Sequence, residues 1–538
     1  MFDLLIQHAW IVDGTGRPGF QGDIAVQGDR IAAVGALDKA EAVQVYDAAG
    51  KVAAPGFIDI HTHSDLSLLE DGRALARLHD GVTTDVIGNC GIGCAPVREE
   101  NRQLLVDYLG TRMIGSLPIK IDLPWRTEAE YLAYVNAHAP SINLAPLVAQ
   151  GAVRIAEMGF AQGKASAQQV EHMQYMVQEA MEAGALGITT GLAYLPGAYT
   201  GWEELRDVTK PVSKFGGAYI SHIRNQSEGI FDSLDEAVRI GRGAGVPVHI
   251  SHLKLAGPMV RGQAGRLLDY IHARRQEGMD ITYDLYPYEA GNTALTTVLP
   301  PWVFEGGIHN LLQRVADPIQ QERIIRDCSQ GIPGWQNYSK DLGWDKIQIS
   351  TTVTEEGKQW EGLTIAEAAQ QCKKEPWDMV FDLLIQERGR VQTIVYHLDP
   401  QDVDTIVTSP GAMYGSDTMS LAAEGVLSFG KPHPRAYGTH GRILGRYVRE
   451  RKQMTLEEAV RKMTSMPAHR MRLRERGEIR SGYYSDLTIF DPETIRDRAD
   501  YANPKQYTEG VDCVIVNGKI VLRDGIHQGV FSGRVVGR

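Results

Sequence analysis

The sequence predicts an α/β protein, a (β/α)8 barrel of the TIM type with a small β domain that is built from both chain ends. Three observations support this prediction. The middle of the chain alternates apolar runs with amphipathic runs of helix length, the apolar runs number eight, and both ends contain short strands with tight turns. Strands that alternate with helices form a parallel sheet, and eight such units close into a barrel.

Both ends of the chain contribute to the predicted β domain. Residues 23–26 and 31–34 form a hairpin pattern around Gly28-Asp29, and residues 486–490 and 514–521 show similar short strands near the other end. The predicted domains are therefore 1–55 and 478–538 for the β domain, and 56–477 for the barrel. The first residues, MFDLLIQHAWIVDG, lack a basic segment and a cleavage site, so they predict a strand rather than a signal peptide.

The middle of the chain supplies the barrel. Its eight candidate strands are 57–61, 83–88, 142–149, 186–191, 217–222, 247–252, 280–286 and 412–416, and helical runs include 168–184, 231–243 and 263–277. The stretch between Tyr286 and Gly411 is too long for one crossover, so it predicts an insertion, at about 287–350. An insertion at the C-terminal face of the barrel is well placed to act as a lid.

Composition excludes several classes of partner. A chain of 538 residues exceeds the usual size of one core, and its net charge of −12 disfavours nucleic acid. No apolar run reaches the length of about 20 residues that spans a membrane. The five cysteines are odd in number and scattered, which indicates reduced thiols in the cytoplasm. The sequence leaves open whether the chain forms a homo-oligomer.

Polar residues follow the C-terminal ends of five candidate strands, where the active site of such a barrel lies. Side chains at alternate positions of a strand point the same way, so His61 and His63 face one site. Any one of these residues alone is more often structural, but six at equivalent positions predict a zinc site of imidazole, thiolate and carboxylate ligands. The predicted ligands are His61, His63, Cys90, His222, His252 and Asp417.

Two neighbouring residues are excluded from the predicted ligand set. His249 lies three positions before His252, so it faces the opposite side of its strand and is interpreted as structural. Cys94 lies beyond the strand end in a Gly-rich loop, which favours Cys90 as the ligand.

The motifs carry a family resemblance. PGFIDIHTHSD at 55–65 resembles the signature of the amidohydrolase superfamily, metal-dependent hydrolases on a distorted barrel with a β-sandwich from both termini. Further motifs make the chain similar to the D-aminoacylases, the N-acyl-D-amino-acid deacylases. These are GNCG at 88–91, GLAYLPG at 191–197, SHIRNQ at 221–226, SHLK at 251–254, YPYEAG at 286–291, LPPWVFEGG at 299–307, GSD at 415–417, KPHPRAYGTHGRILG at 431–445 and RGEIRSGYYSDLTIFDP at 476–492.

The resemblance implies how the six ligands are divided between two zinc sites. It implies that Cys90, His222 and His252 hold a tightly bound zinc, and that His61, His63 and Asp417, with Cys90 as a bridge, form a second, weaker site. Many members of the superfamily bridge two metals with a carboxylated lysine on the fourth strand. Residues 186–191 contain no lysine, which is consistent with a bridging thiolate.

The resemblance also implies substrate contacts. Tyr194, Lys254, Tyr286 and Arg435 match positions that bind the substrate carboxylate and the scissile carbonyl. Asn292 stands where the family pattern has serine, so one carboxylate contact is expected to differ. Gln226 replaces the usual glutamate, and the segment 396–399 departs from the family and leaves His397 without a role. These departures leave substrate preference open.

The expected reaction is hydrolysis of an N-acyl-D-amino acid, a small molecule, to a carboxylate and a free D-amino acid. Water activated at the zinc is the expected nucleophile, and Asp417 the expected general acid and base. One alternative is a cyclic amidase of the hydantoinase or dihydropyrimidinase type. Nearer alternatives are a deacylase restricted to acidic D-residues and an amidase acting on a different D-amide. A non-catalytic scaffold of the same fold would lack the ligand set, and all six ligands are present.

Overall fold

The structure is a computed structural model that describes residues 1–37, 40–113 and 121–537. The middle of the chain forms the predicted (β/α)8 barrel, and the two ends form the β-sandwich domain. The barrel strands, in chain order, are β1 (Phe57–Asp59), β2 (Val82–Ile87), β3 (Asn143–Pro146, continued as Val148–Ala149), β4 (Gly187–Gly191), β5 (Ala218–His222), β6 (Val248–Ile250), β7 (Ile281–Leu285) and β8 (Ala412–Tyr414).

Every neighbouring pair in the barrel is parallel. Strands β1 to β3 form one run, and the second half of β3 continues through β4, β5, β6 and β7 to β8. The barrel closes just beyond the ends of β8 and β1, where Thr62 bridges Thr418 and the N–H of Asp417 donates to the carbonyl of His61 at 2.7 Å. The carboxyl ends of all eight strands therefore meet at one face.

The helix Ala167–Glu182 illustrates why the amphipathic runs fold as helices. Ser166 and Gln169 form a capping box that satisfies backbone N–H groups at the first turn. Met173, Val177 and Ala180 are buried on one face, at the spacing of helix turns. Burial of this apolar face against the barrel contributes most of the helix's stability.

The α-helices account for most of the layer outside the barrel strands and for much of the insertion. Their bounds are Ser67–Glu70, Leu75–His79, Arg102–Arg112, Glu128–His138, Gln150–Met158, Ala167–Glu182, Trp202–Ser213, Ile230–Ala244, Ala264–Gln276, Ile308–Ala316, Pro318–Gln330, Tyr338–Asp341, Ile365–Cys372, Pro376–Gln386, Pro400–Thr408, Arg435–Arg442, Leu456–Met463 and Ser465–Arg470. A π-helix, Ile443–Glu450, continues Arg435–Arg442. Within the described ranges, no helix combines the length and the apolar composition that crossing a membrane requires.

The β-sandwich domain joins the two ends of the chain. Val52–Pro55 pairs antiparallel with Leu487–Phe490, and the predicted hairpin around Gly28-Asp29 is present. The domain has an apolar core of its own, which includes Ile6, Ile24 and Ile489. Its strands are Phe2–Ile11, Phe20–Gln27, Arg30–Gly35, Ala42–Asp47, Val52–Pro55, Leu487–Phe490, Val511–Val516, Lys519–Arg523 and Ile526–His527.

The segment between β7 and β8 builds a small three-stranded sheet over the barrel. Gln392–Val395 pairs antiparallel with both Gly291–Ala294 and Ile347–Thr351. This sheet therefore continues past residue 350, the predicted end of the insertion. Asn292, Thr351 and Gln392 from the sheet line the cavity above the C-terminal face of the barrel, so the insertion forms part of the cavity wall.

A buried arginine ties the barrel together where it closes. Arg77 is 2% exposed, its Nε lies 3.0 Å from Asp85 on β2 and its Nη1 lies 3.3 Å from Asp59 on β1. Its Nη2 donates to the carbonyl of Thr418, just after β8, at 2.7 Å. One side chain therefore joins the first, second and eighth strands.

Replacing Arg77 by methionine is expected to lower the free energy of unfolding by about 3–5 kcal/mol, because two buried carboxylates lose their cation. Urea unfolding followed by circular dichroism measures the effect. Arg73→Met is the matched control, since Arg73 pairs with Asp71 near the surface and is expected to cost less than about 1 kcal/mol. Equal stabilities of the two variants would contradict this role for Arg77.

Candidate metal centre

The structure brings all six predicted ligands together at the C-terminal face of the barrel. The thiol of Cys90 lies at the centre, 3.3 Å from His61 Nε2, 3.4 Å from His252 Nε2 and 3.6 Å from His222 Nδ1. His252 Nε2 and His222 Nδ1 are 2.9 Å apart. These atoms converge without an intervening side chain, as ligands of one ion do.

A second group of donors shares the same sulfur. Asp417 Oδ1 lies 3.2 Å from His63 Nε2 and 3.5 Å from His61 Nε2. One donor atom each from His61, Cys90, His252 and Asp417 lies within 4.8 Å of all the others. The six donors therefore form two overlapping groups, with Cys90 in both.

Backbone geometry at three of these residues is unusual. Cys90, His252 and Asp417 have φ values of 55°, 35° and 51°, in the left-handed region that non-glycine residues seldom adopt. Such strained conformations persist where the surrounding structure enforces them, and they concentrate at functional sites. Each places its side chain over the centre of the barrel mouth.

Two glycines, Gly88 and Gly191, allow the close backbone contacts that place Cys90, in the loop after β2, at the centre of the cluster. A Cβ on Gly191, at the end of β4, would overlap the carbonyl oxygen of Cys90. A Cβ on Gly88, whose φ is 83°, would overlap the carbonyl of Leu147. The loop therefore packs directly on the ends of β3 and β4.

The electrostatics favour the ligand forms of Cys90 and His252, whereas at His61 and His63 burial is outweighed by the neighbouring acidic groups, which raise the pKa values of both imidazoles. Burial raises the pKa of the Cys90 thiol, but the nearby imidazole of His61 and hydrogen bonds from His222 and His252 outweigh it and hold the pKa well below its usual range. Burial, with the charge of Lys254, lowers the pKa of His252 to about 3. A thiolate beside a neutral imidazole is what a zinc ion binds.

The donor set fits zinc in chemistry, and the distances from its sulfur also fit zinc in spacing. Donor atoms around one tetrahedral zinc lie roughly 3.5 Å apart, given bonds of about 2.0–2.3 Å. The distances from Cys90 to His252 and to His222 are close to that value. Sulfur and imidazole donors with one carboxylate suit zinc better than they suit magnesium or calcium.

Asp284 on β7 supports the cluster from below, and sequence reasoning missed it. Its carboxylate lies 3.2 Å from His61 Nδ1 and 2.8 Å from His249 Nε2, and it accepts the backbone N–H of His252 at 2.8 Å. Burial raises the pKa of Asp284, but the two imidazoles lower it well below its usual range. His249 therefore stays outside the donor groups and holds Asp284 in place.

Asp284→Asn is expected to weaken zinc binding about 10- to 100-fold, because the carboxylate orients the ring of His61 and makes it more basic. Competition with a chelator of known affinity measures the change. Asp280→Asn is a suitable control, since Asp280 precedes the same strand, is largely exposed and pairs with Arg470. Unchanged zinc affinity in Asp284→Asn would contradict the supporting role.

The five predicted substrate contacts line the cavity of about 100 Å³ above the cluster. Arg435 donates from Nη1 to Asp417 Oδ2 at 2.8 Å, while its buried Nε has no partner among the described residues. Lys254 Nζ lies 2.8 Å from His252 Nδ1. Both cations approach the ring of Tyr286, Arg435 at 4.5 Å and Lys254 at 5.4 Å. The positive charges of Lys254 and Arg435 therefore lie beside the metal ligands.

The other two predicted substrate contacts, Tyr194 and Asn292, lie on different walls of this cavity. The ring of Tyr194 packs edge-on against that of His222, with centroids 4.7 Å apart. Asn292 belongs to the insertion and donates from Nδ2 to the carbonyl of Thr393 at 2.9 Å. Asn292 therefore faces the cavity while tied to the neighbouring strand.

Two residues that depart from the family pattern also lie at the site. The amide nitrogen of Gln226 lies 3.1 Å from His252 Nδ1, on the side of the ring away from Cys90. His397 lines the cavity, and neither ring nitrogen has a partner within the described ranges. Burial lowers the pKa of His397 to about 3, so its ring is neutral. The sequence marked both positions as departures, but only the fold shows what they contact.

Comparison with known proteins places the chain among relatives of the same length. The sequence profile of the amidohydrolase family matches residues 44–286 and 425–522. A D-aminoacylase of Alcaligenes xylosoxydans xylosoxydans is 35% identical over 539 residues, which cover 100% of this chain and 98% of that protein. An N-acyl-D-glutamate deacylase of the same organism is 32% identical and covers 97% of this chain and 93% of that protein.

A solved structure is similar over the whole chain. It is an N-acyl-D-glutamate deacylase from Bordetella bronchiseptica, complexed with zinc and a phosphonate inhibitor that mimics the tetrahedral intermediate of the reaction. It is 31% identical, covers 100% of both chains and superposes with a TM-score of 0.81.

Proposed function

This chain belongs to the amidohydrolase family and, within it, to the D-aminoacylase family, and we propose that it is a zinc-dependent hydrolase of N-acyl-D-amino acids. The observation that carries the proposal is the cluster of Cys90, four histidines and Asp417 beside two buried cations in one cavity. The cluster suits the hydrolytic chemistry, and the cations suit a substrate that carries a carboxylate next to its amide.

We propose Cys90, His222 and His252 as the ligands of the tightly bound zinc. His61, His63 and Asp417 would form the weaker site, with Cys90 between them. Zinc, when bound, supplies a Lewis acid that polarises the scissile carbonyl and lowers the pKa of water from 15.7 to about 7. The ring of Tyr194, packed against His222, would form the wall beside the carbonyl.

Asp417 is the proposed general acid and base. Burial raises its pKa, but Arg435 and the imidazoles of His252, His63 and His61 hold the pKa well below its usual range, so the carboxylate is ionised. A substrate carboxylate that pairs with the Nε of Arg435 would share this cation with Asp417. The pKa of Asp417 would then rise, which makes it a better proton acceptor at the moment when the amide is in place.

Lys254 and Arg435 are the proposed anchors of the substrate α-carboxylate. Burial lowers the pKa of Lys254 to about 8, so its ammonium is still mostly charged at neutral pH. The buried Nε of Arg435 lacks a partner in the described part of the chain, and a carboxylate would satisfy it. Two fixed cations define the direction of the carboxylate, and that direction decides which enantiomer presents its amide to the cluster.

Hydrolysis assays with paired substrates test the proposal. The purified protein is expected to release amino acid from N-acetyl-D-methionine and to leave N-acetyl-L-methionine intact. Hydantoin and dihydrouracil, assayed in parallel, represent the cyclic amides. Ring opening without cleavage of the D-substrate would contradict the proposal and favour a cyclic amidase.

We also propose that the protein acts in the cytoplasm on a small molecule, without nucleic acid or membrane partners. All five cysteines are free thiols, and four of them are buried. Unpaired thiols are typical of a reducing compartment. The net charge of −12 disfavours binding to polyanions.

A further inference from the structure

A second cavity, of about 290 Å³, adjoins the catalytic cavity. Tyr194, His222 and Tyr338 line both cavities, so the two meet beside the metal ligands. The second cavity is walled largely by apolar and aromatic side chains, among them Leu195 and Phe304. A substrate group that extends from the scissile amide past Tyr194 would enter it.

Arg112 lies at the junction of the two cavities and lines both. It is the last residue of the helix Arg102–Arg112, and its guanidinium lies 4.6 Å from the ring centroid of Tyr194 and 5.3 Å from that of Phe304. Its Nε and Nη1 are buried and have no hydrogen-bond partner among the described residues. Two aromatic rings therefore hold the cation in place but leave the donors at Nε and Nη1 unsatisfied.

The other arginines that line these cavities have carboxylate partners. Arg224 pairs with Glu236 at 2.9 Å, and Arg435 pairs with Asp417 at 2.8 Å. Arg112 makes no ion pair with any residue in the described ranges, and burial lowers its pKa. Buried N–H groups of a guanidinium without an anion are costly, and the planar fork of the group matches the geometry of a carboxylate.

Resting on the proposed deacylase function, we propose that Arg112 binds a second carboxylate of the substrate, at the far end of the D-side chain or of the acyl group. The apolar walls of the second cavity would contact the methylene groups that join this carboxylate to the amide. The preferred substrate is then a dicarboxylic acid, held by Arg435 and Lys254 at its α-carboxylate and by Arg112 at the other.

Three substrates distinguish the two sources of the carboxylate. N-acetyl-D-methionine carries only the α-carboxylate, N-acetyl-D-glutamate adds one on the side chain, and N-succinyl-D-methionine adds one on the acyl group. The wild-type protein is expected to cleave one of the two diacids with at least a 10-fold higher kcat/KM than the monoacid. Arg112→Gln is expected to lower this ratio about 10- to 100-fold, mainly through KM, and Arg112→Lys to retain part of it.

Arg126→Gln is the matched control, because Arg126 is exposed and lines neither cavity. The inference is overturned if the wild type cleaves the monoacid but prefers neither diacid. It is also overturned if Arg112→Gln lowers all three rates equally, since that result indicates a structural role. Cleavage of none of the three substrates would overturn the proposed function, and the inference with it.

Discussion

Replacing Cys90 by serine is expected to remove zinc from the protein and to lower deacylase activity by about 10³-fold or more. The sulfur contacts donor atoms of both ligand groups, so its loss weakens both at once. A serine hydroxyl keeps its proton at neutral pH and cannot replace the thiolate. Elemental analysis of zinc per chain, together with hydrolysis of N-acetyl-D-methionine, measures both effects.

Cys94→Ser is the matched control for this prediction. Cys94 is four residues along the same loop and is buried, and burial raises the pKa of its thiol well above the usual range. It is absent from the donor cluster of the described residues, so zinc and activity are expected to persist in Cys94→Ser. If Cys90→Ser kept its zinc while Cys94→Ser lost it, the assignment of the ligand would be wrong.

Asp417→Asn is expected to lower kcat about 10²- to 10⁴-fold while most of the zinc stays bound. An amide keeps one of the two oxygens, the one near His63 or the one near Arg435, and it cannot accept and return a proton. The tightly bound zinc, with its proposed ligands Cys90, His222 and His252, does not need this carboxylate. Steady-state kinetics and zinc analysis on the same preparation separate the two effects.

Asp404→Asn provides the control for the charge change. Asp404 pairs with Arg451 on the helical layer and lines neither cavity, so its variant is expected to keep both zinc and activity. Hydrolysis by Asp417→Asn at a rate near that of the wild type would exclude Asp417 as the acid and base.

The sequence was sufficient to predict the barrel and the donors because both depend on local pattern. Each of the eight apolar runs lies at an observed strand, and His222 and His252 could be placed because strand ends meet at one face. The pattern could also predict that both chain ends share one β domain, since their short strands resemble each other.

Contacts between distant parts of the chain could not be predicted in the same way. Asp284 supports His61 across more than 200 positions, and no motif links the two residues. The one available signal was an acid inside an apolar strand, which requires a buried partner. Arg112 is the last residue of the helix Arg102–Arg112. Only the fold shows that its cation faces two cavities and has no carboxylate partner among the described residues.

The most direct test of the central claim is to remove zinc with a chelator and titrate it back while D-selective hydrolysis is measured. The proposed function predicts that activity on N-acetyl-D-methionine disappears with the metal and returns as zinc is added, and that N-acetyl-L-methionine is never cleaved. Activity that persists in the zinc-free protein, or zinc that returns without D-selective cleavage, would contradict it.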